Sequence, residues 1–191
     1  PRVTERPAAA HYCRPLESLA IYVEQPRPRV FPNDADRRAA ERFLEGIVGP
    51  RLAAVHPGSG GPRKNWPPEK FAVVAKWLMD SRSAPLLVVA GEADAEAAAA
   101  LERLLAGRSF HWVRGLRLPE LAAVLQRCAV YVGNDSGITH LAAAVGAPTV
   151  AVFGPHSSPL WKPVGEHVRV VAMGAGDDEF VRAAVEEIMV A

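Results

Sequence analysis

A chain of 191 residues that is 49% hydrophobic has enough apolar material for one sizeable core, and a formal net charge of +1 gives no electrostatic reason to expect nucleic acid or an acidic tail as partner. No apolar run approaches the ~20 residues needed to span a bilayer, no signal peptide is visible, and Cys13 and Cys128 lie too far apart for metal-type spacing. The two thiols therefore read as reduced cysteines of a cytosolic protein, and the start at Pro1 in place of Met reads as that of a fragment.

Taken in order, residues 1–32 are broken by Pro7, Pro15, Pro26, Pro28 and Pro32 and show no clean period. They are expected to form a connector or the trailing end of a preceding domain, with residues 33–191 as the folded domain. Asn33-Asp34 starts a helix whose apolar positions are Ala39, Ala40, Phe43, Leu44 and Ile47, and Gly49-Pro50 stops it. Residues 52–55 read as a strand, 56–68 as a loop rich in Gly and Pro, and 68–80 as a helix with Phe71, Val74, Ala75 and Leu78 on one face. A strand at 85–90, a turn at 91–94, a helix at 95–105, a strand at 110–113 and a helix at 119–127 follow. Next comes the stretch that organises the chain: a strand at 129–132, a polar turn at 133–137, a helix at 138–145 stopped by Gly146 and Pro148, and a strand at 148–153. A strand at 168–172 and a helix at 177–189 close the chain.

This alternation predicts an α/β fold of the doubly wound, Rossmann-like class, with helices on both faces of a parallel sheet. Ligands of such sheets bind outside the carboxyl ends of the strands, where the loops 56–66, 91–94 and 133–137 fall. In the first loop Ser59, Gly60 and Lys64 offer a hydroxyl, a close-approaching backbone and a point charge for phosphate. The glycine pattern is not that of a nucleoside-triphosphate phosphate loop, and on these residues alone a solvated basic loop is the favoured reading. Asp135, Ser136 and Gly137 stand at a helix N-terminus, whose unpaired amides suit an anion; they are also what an ordinary turn and helix cap use. His140, one helical turn after Ser136, reads as a residue of the same mouth or as a structural histidine. Asp94 and Glu96 read as ribose acceptors or as helix-capping and solvated acids. The four tryptophans, Trp66, Trp77, Trp112 and Trp161, read mostly as core or interface residues, and only Trp66 and Trp161 fall in loops of interest.

Two stretches together are more specific. His56-Pro-Gly-Ser-Gly-Gly-Pro-Arg-Lys-Asn-Trp-Pro-Pro-Glu-Lys-Phe71 resembles the first signature of the lipopolysaccharide heptosyltransferase family, glycosyltransferase family nine. Gly133-Asn-Asp-Ser-Gly-Ile-Thr-His140, continuing through Ala-Ala-Ala-Val-Gly-Ala-Pro to Phe153-Gly-Pro155, resembles its second. Order and separation also match, and the resemblance covers about residues 33–190.

The resemblance implies the C-terminal, donor-binding half of a GT-B glycosyltransferase, with the acceptor site and the catalytic aspartate on an N-terminal domain outside this sequence. It implies ADP-heptose as donor substrate, no metal and no other cofactor, and a lipid-linked core oligosaccharide as acceptor. By similarity, Ser59, Gly60 and Lys64 contact diphosphate and sugar, Asp135 holds heptose hydroxyls, and Ser136 and Gly137 offer amides to the diphosphate. His140 supports that turn, Leu116 lies near the adenine, and the ribose acid is Asp94 or Glu96. Lys64 and Asp135 become the donor-side catalytic residues, with the isolated chain inactive alone. A cytoplasmic location follows, with room for peripheral contact at the inner face of the inner membrane. One departure is His156, where the family more often has Thr or Ser. Two alternatives stay open: a glycosyltransferase domain using another nucleotide sugar, and a non-catalytic Rossmann-like scaffold.

Overall fold

Regular elements of the computed structural model, which describes residues 7–49 and 51–190, follow the predicted alternation. They are α1 (Ala8–Cys13), α2 (Asp34–Leu44), β1 (Leu52–His56), α3 (Pro68–Arg82), β2 (Leu86–Val89), α4 (Ala95–Leu104) and β3 (His111–Val113). The remainder are α5 (Leu118–Leu125), β4 (Cys128–Asn134), α6 (Gly137–Ala144), β5 (Thr149–Phe153), β6 (Val168–Ala172) and α7 (Asp177–Val190). Six strands form one sheet in the order β3-β2-β1-β4-β5-β6, every neighbouring pair parallel. This is the doubly wound, Rossmann-like order, and the direction of winding reverses between β1 and β4.

Successive strand residues face opposite sides, so a strand buried on both faces must be apolar at every position. Ala53, Val55, Leu86, Val88, Val130 and Val132 face a core closed by Phe71 and Leu78 of α3, Leu101 of α4 and Val181 and Val185 of α7. Ala54, Leu87, Val89, Val113 and Tyr131 face a second core closed by Ala40 of α2, Leu121 and Leu125 of α5 and Ala142 of α6. The helix starts are set by local chemistry. Asn33 accepts the amides of Ala35 and Asp36 at 2.8 and 3.0 Å, and Asp36 accepts the amide of Asn33 at 3.0 Å, which closes a capping box on α2. Gly146, at φ +84°, ends the helical segment after α6 in the left-handed region that glycine tolerates.

Three differences from the sequence expectation stand out. The first stretch is not irregular throughout: after Pro7, the alanine run builds α1, and a 3₁₀ turn follows at Arg14–Leu19. Helix α2 ends at Leu44, earlier than Ile47, and Pro50 of the expected stop lies outside the described residues. Strand β4 continues through Gly133 and Asn134, which the sequence placed in the turn. Gly133 pairs with His56 on one side and Ala151 on the other. A Cβ there would lie 2.3 Å from the Tyr131 hydroxyl, so the central strand continues only because this residue has no side chain.

Candidate functional site

Strands β1, β2 and β4 release their chains on the same edge of the sheet, and the polar loops expected from the sequence meet there. The turn after β4 is the best ordered by hydrogen bonds. Ser136 caps α6, its Oγ accepting the Thr139 amide at 3.2 Å. Asn134 is fully buried; its side chain accepts the Trp66 amide at 2.8 Å and donates to the carbonyls of Pro57 and Gly58 at 2.8 and 3.2 Å. One amide side chain thus ties the loop after β1 to the end of β4. Gly137 and Ile138, whose amides are at the positive end of the α6 dipole, line the crevice.

The loop after β1 carries Ser59, Gly60 and Lys64. Ser59 is buried; its Oγ lies 2.7 Å from the Gly61 carbonyl and 2.6 Å from the Asn65 side-chain oxygen, and accepts the Gly61 amide at 3.3 Å. Its hydroxyl is therefore committed to shaping the loop. Lys64 pairs with the turn after β4, its Nζ 2.9 Å from Asp135 Oδ2; the carboxylate is buried and the lysine side chain about 38% exposed. Trp66, placed by the sequence in a loop of interest, is fully buried against Phe71 and donates its indole N–H to Asp177 at 2.8 Å. Lys70 also binds Asp177. Burial alone would push the Asp177 carboxyl up, but bonds from Lys70, the Gly174 amide and the Trp66 indole hold it below the usual carboxylate range. This tryptophan clamps α7 to the loop; it is not a ligand platform.

His56, the last residue of β1, was quoted in a motif but not named as a site residue. It is 2% exposed. Its Nε2 lies 3.0 Å from Asp94 Oδ2 and its Nδ1 3.3 Å from Ser136 Oγ. Asp94 also accepts the Gly91 amide at 3.0 Å. The bond from His56 is the main reason the Asp94 carboxyl lies below its ordinary range, with the Gly91 amide adding to it against the opposing effect of burial. Asp94 faces the crevice through this pair. Glu96 is exposed on the first turn of α4 and lines a separate depression with Ser59, Pro62 and Asn65.

The crevice itself is an open cleft of about 570 Å³. Its polar lining is His56, Ser59, Asp94, Ser136 and His140, and its apolar wall includes Leu118, Ile138 and Leu141. Leu116, the expected neighbour of the adenine, packs on the second core, while Leu118 stands 62% exposed at the cleft. His140 opens onto the cleft from α6; burial pushes its imidazole below the usual value, with Asp135 opposing and Lys64 reinforcing the push. A smaller apolar cavity of about 310 Å³ shares Pro28 and His140 with the cleft and includes Tyr12 and Trp161. The structure brings together Ser59, Gly60, Asp94, Ser136, Gly137 and His140 around one cleft, with the Lys64–Asp135 pair at its adjoining turns, and leaves Glu96 and Leu116 aside. Cation, dipole-end amides and hydroxyls at the mouth of an apolar slot can hold a phosphorylated ligand with an apolar or aromatic moiety.

Residues 6–187 match the model of Glycosyltransferase family 9 (heptosyltransferase). Lipopolysaccharide heptosyltransferase 2 of Escherichia coli strain K12 is 27% identical over 183 residues, covering 92% of this chain and 52% of the relative. The chain thus spans about half the length of that relative. A family 9 glycosyl transferase from Veillonella parvula superposes with a TM-score of 0.83 at 24% identity, covering 98% of this chain and 61% of that one. E. coli heptosyltransferase WaaC with ADP gives a TM-score of 0.63 at 25% identity, covering 78% of this chain and 48% of that one.

Proposed function

The chain belongs to glycosyltransferase family 9, and on that premise we propose that it is the donor-binding half of a heptosyltransferase whose donor is ADP-heptose and whose acceptor is a lipopolysaccharide core sugar. The observation that carries this reading is the meeting, at the switch point of the sheet, of the α6 N-terminus, Ser136 and the cation Lys64 beside an apolar slot. In this reading the diphosphate lies against the Gly137 and Ile138 amides, and the base enters the slot by Leu118. Transfer breaks the bond from the anomeric carbon to the phosphate oxygen and forms one to the acceptor oxygen. ADP leaves, and the charge developing on it is met by Lys64 and the helix dipole. In this reading Asp135, paired with Lys64, holds both that cation and the sugar hydroxyls. An acceptor hydroxyl also needs a base within hydrogen-bond reach. Asp94 is held by His56 and Asp135 by Lys64, which favours a base supplied by another domain, and with it the acceptor site and any contact with a membrane surface. No helix among the described residues is long and apolar enough to cross a membrane.

Calorimetric titration with ADP, beside UDP and GDP, tests the proposal. The expected result is saturable, ADP-preferring binding that weakens about tenfold to a hundredfold in Lys64→Ala, the scale of a lost charged hydrogen bond. Equal binding of all three nucleotides would favour another nucleotide sugar, and none would favour a scaffold.

A further inference from the structure

We propose that Asp94, His56 and Ser136 form a proton-coupled clasp, in which an anionic ligand at the α6 N-terminus draws a proton onto His56 and thereby frees the Ser136 hydroxyl to donate to that ligand. The inference rests on the nucleotide-sugar reading and adds a positioning role that the signature residues do not reveal.

The argument is an accounting of protons. Asp94 is an ionised acceptor, so the His56 Nε2 that lies 3.0 Å from it carries a hydrogen. The variable atom is Nδ1, whose partner is Ser136 Oγ at 3.3 Å. In a neutral imidazole Nδ1 is a lone pair, the strongest uncharged acceptor beside Ser136, and the serine proton turns to it. The hydroxyl is then turned inward and presents oxygen lone pairs to the cleft, which repel an anion. In the imidazolium Nδ1–H donates to Ser136 Oγ, and the serine proton is released towards the ligand. Thr139 Oγ1, 3.1 Å from Ser136 Oγ, gives its own proton to the Asn134 carbonyl and takes that of Tyr131 at 3.0 Å, and the lone pair it has left is a weaker acceptor than an imidazole nitrogen. The proton that charges His56 comes from solvent, and Asp94 compensates the buried charge. The other titratable groups around this cluster do not supply it: burial keeps the Tyr131 phenol protonated, His140 is pushed towards neutral, and Lys64 is paired with Asp135.

Binding should therefore take up a proton at any pH where free His56 is neutral. Affinity then falls by about tenfold per pH unit on that limb. The test titrates the chain with ADP-glucose, whose diphosphate has no ionisation near neutrality, between pH 6 and 9 in buffers of different ionisation enthalpy. Uptake approaching one proton, lost in His56→Gln and in Ser136→Ala, is the expected outcome. Long-range ¹H–¹⁵N spectra of the unmodified chain read the same event without a variant. His56 should change from one protonated ring nitrogen to two when ADP-glucose is added. Saturable binding with the same enthalpy in every buffer overturns the clasp and leaves the donor site standing. Uptake that survives Ser136→Ala overturns it in favour of a through-space field. Absence of any binding overturns the clasp together with the donor reading.

Discussion

Asp94 shows how one side chain can be legible in type and illegible in role. Three acids, Glu92, Asp94 and Glu96, follow Gly91 within five residues, and nothing in their spacing says which one enters the site. The structure decides through a partner 38 positions away: His56 holds Asp94 at the cleft, while Glu96 falls on the exposed side of α4. The direction of Leu116 was illegible for the same reason, since a loop has no period from which to read it. The role of Asp94 has a pH signature. Its carboxyl is depressed in the folded chain, first by the bond from His56. Its contribution is therefore fully present above the unfolded value near ~3.9 and is lost as the pH falls through the lower folded value. Replacing it by Asn should cost roughly 1–3 kcal/mol at pH 7, because a buried imidazole loses a charged acceptor. Urea melts of both proteins between pH 2 and 7 should show that difference shrinking below about pH 4. A difference that stays constant across the range would mean that the carboxylate charge contributes nothing.

At the scale of elements, the loop after β1 explains why its motif needs particular glycines. A Cβ on Gly58 would fall 1.8 Å from Asp94 Oδ1, whereas one on Gly60 would meet nothing within 4 Å. Gly58→Ala must therefore displace either the loop or Asp94, and with Asp94 the bond to His56. A loss of about 1–3 kcal/mol or more is expected, as for an overpacked core. Gly60→Ala should stay within about 0.5 kcal/mol, as for an open surface position. Thermal melts of the pair discriminate: equal losses would show that backbone freedom, and not space, governs this loop. The strands and helices around the loop were readable to within a few residues, because burial on both faces forces uninterrupted apolar runs and capping residues mark the helix starts. The end of β4 was not. Gly133 and Asn134 have turn composition, yet they are ladder residues whose role comes from contacts across the sheet: Tyr131 leaves no room for a side chain at 133, and Asn134 bonds Trp66, Pro57 and Gly58. The bond that fixes the fully buried Trp66 was equally illegible, since its partner Asp177 lies 111 positions away.

For the whole molecule, the question is where the cooperative unit begins. Both cores are closed by α2 to α7, and the first residue packed against either is Val30, whose amide also bonds the Ala144 carbonyl at 2.9 Å. The segment before it is attached differently. α1 and the 3₁₀ turn contain no buried residue, and Tyr12, Leu19 and Tyr22 are 68%, 68% and 74% exposed. Stability follows the apolar area removed from water, and the denaturant slope follows the total area exposed on unfolding. A chain lacking residues 1–24 should accordingly keep its urea midpoint and slope within error. It should also keep its ADP affinity, because the cleft lining begins at Pro28. Self-association, read by sedimentation at rising concentration, should decrease as the exposed aromatic and aliphatic side chains leave with the segment. A fall of more than about 1 kcal/mol in stability would instead place the small cavity between Tyr12 and Trp161 within the cooperative core, because one kcal/mol is a measurable share of a domain's marginal stability. The aromatic contact there, with ring centroids 6.1 Å apart, would then be a structural seam joining the first helix to the cleft.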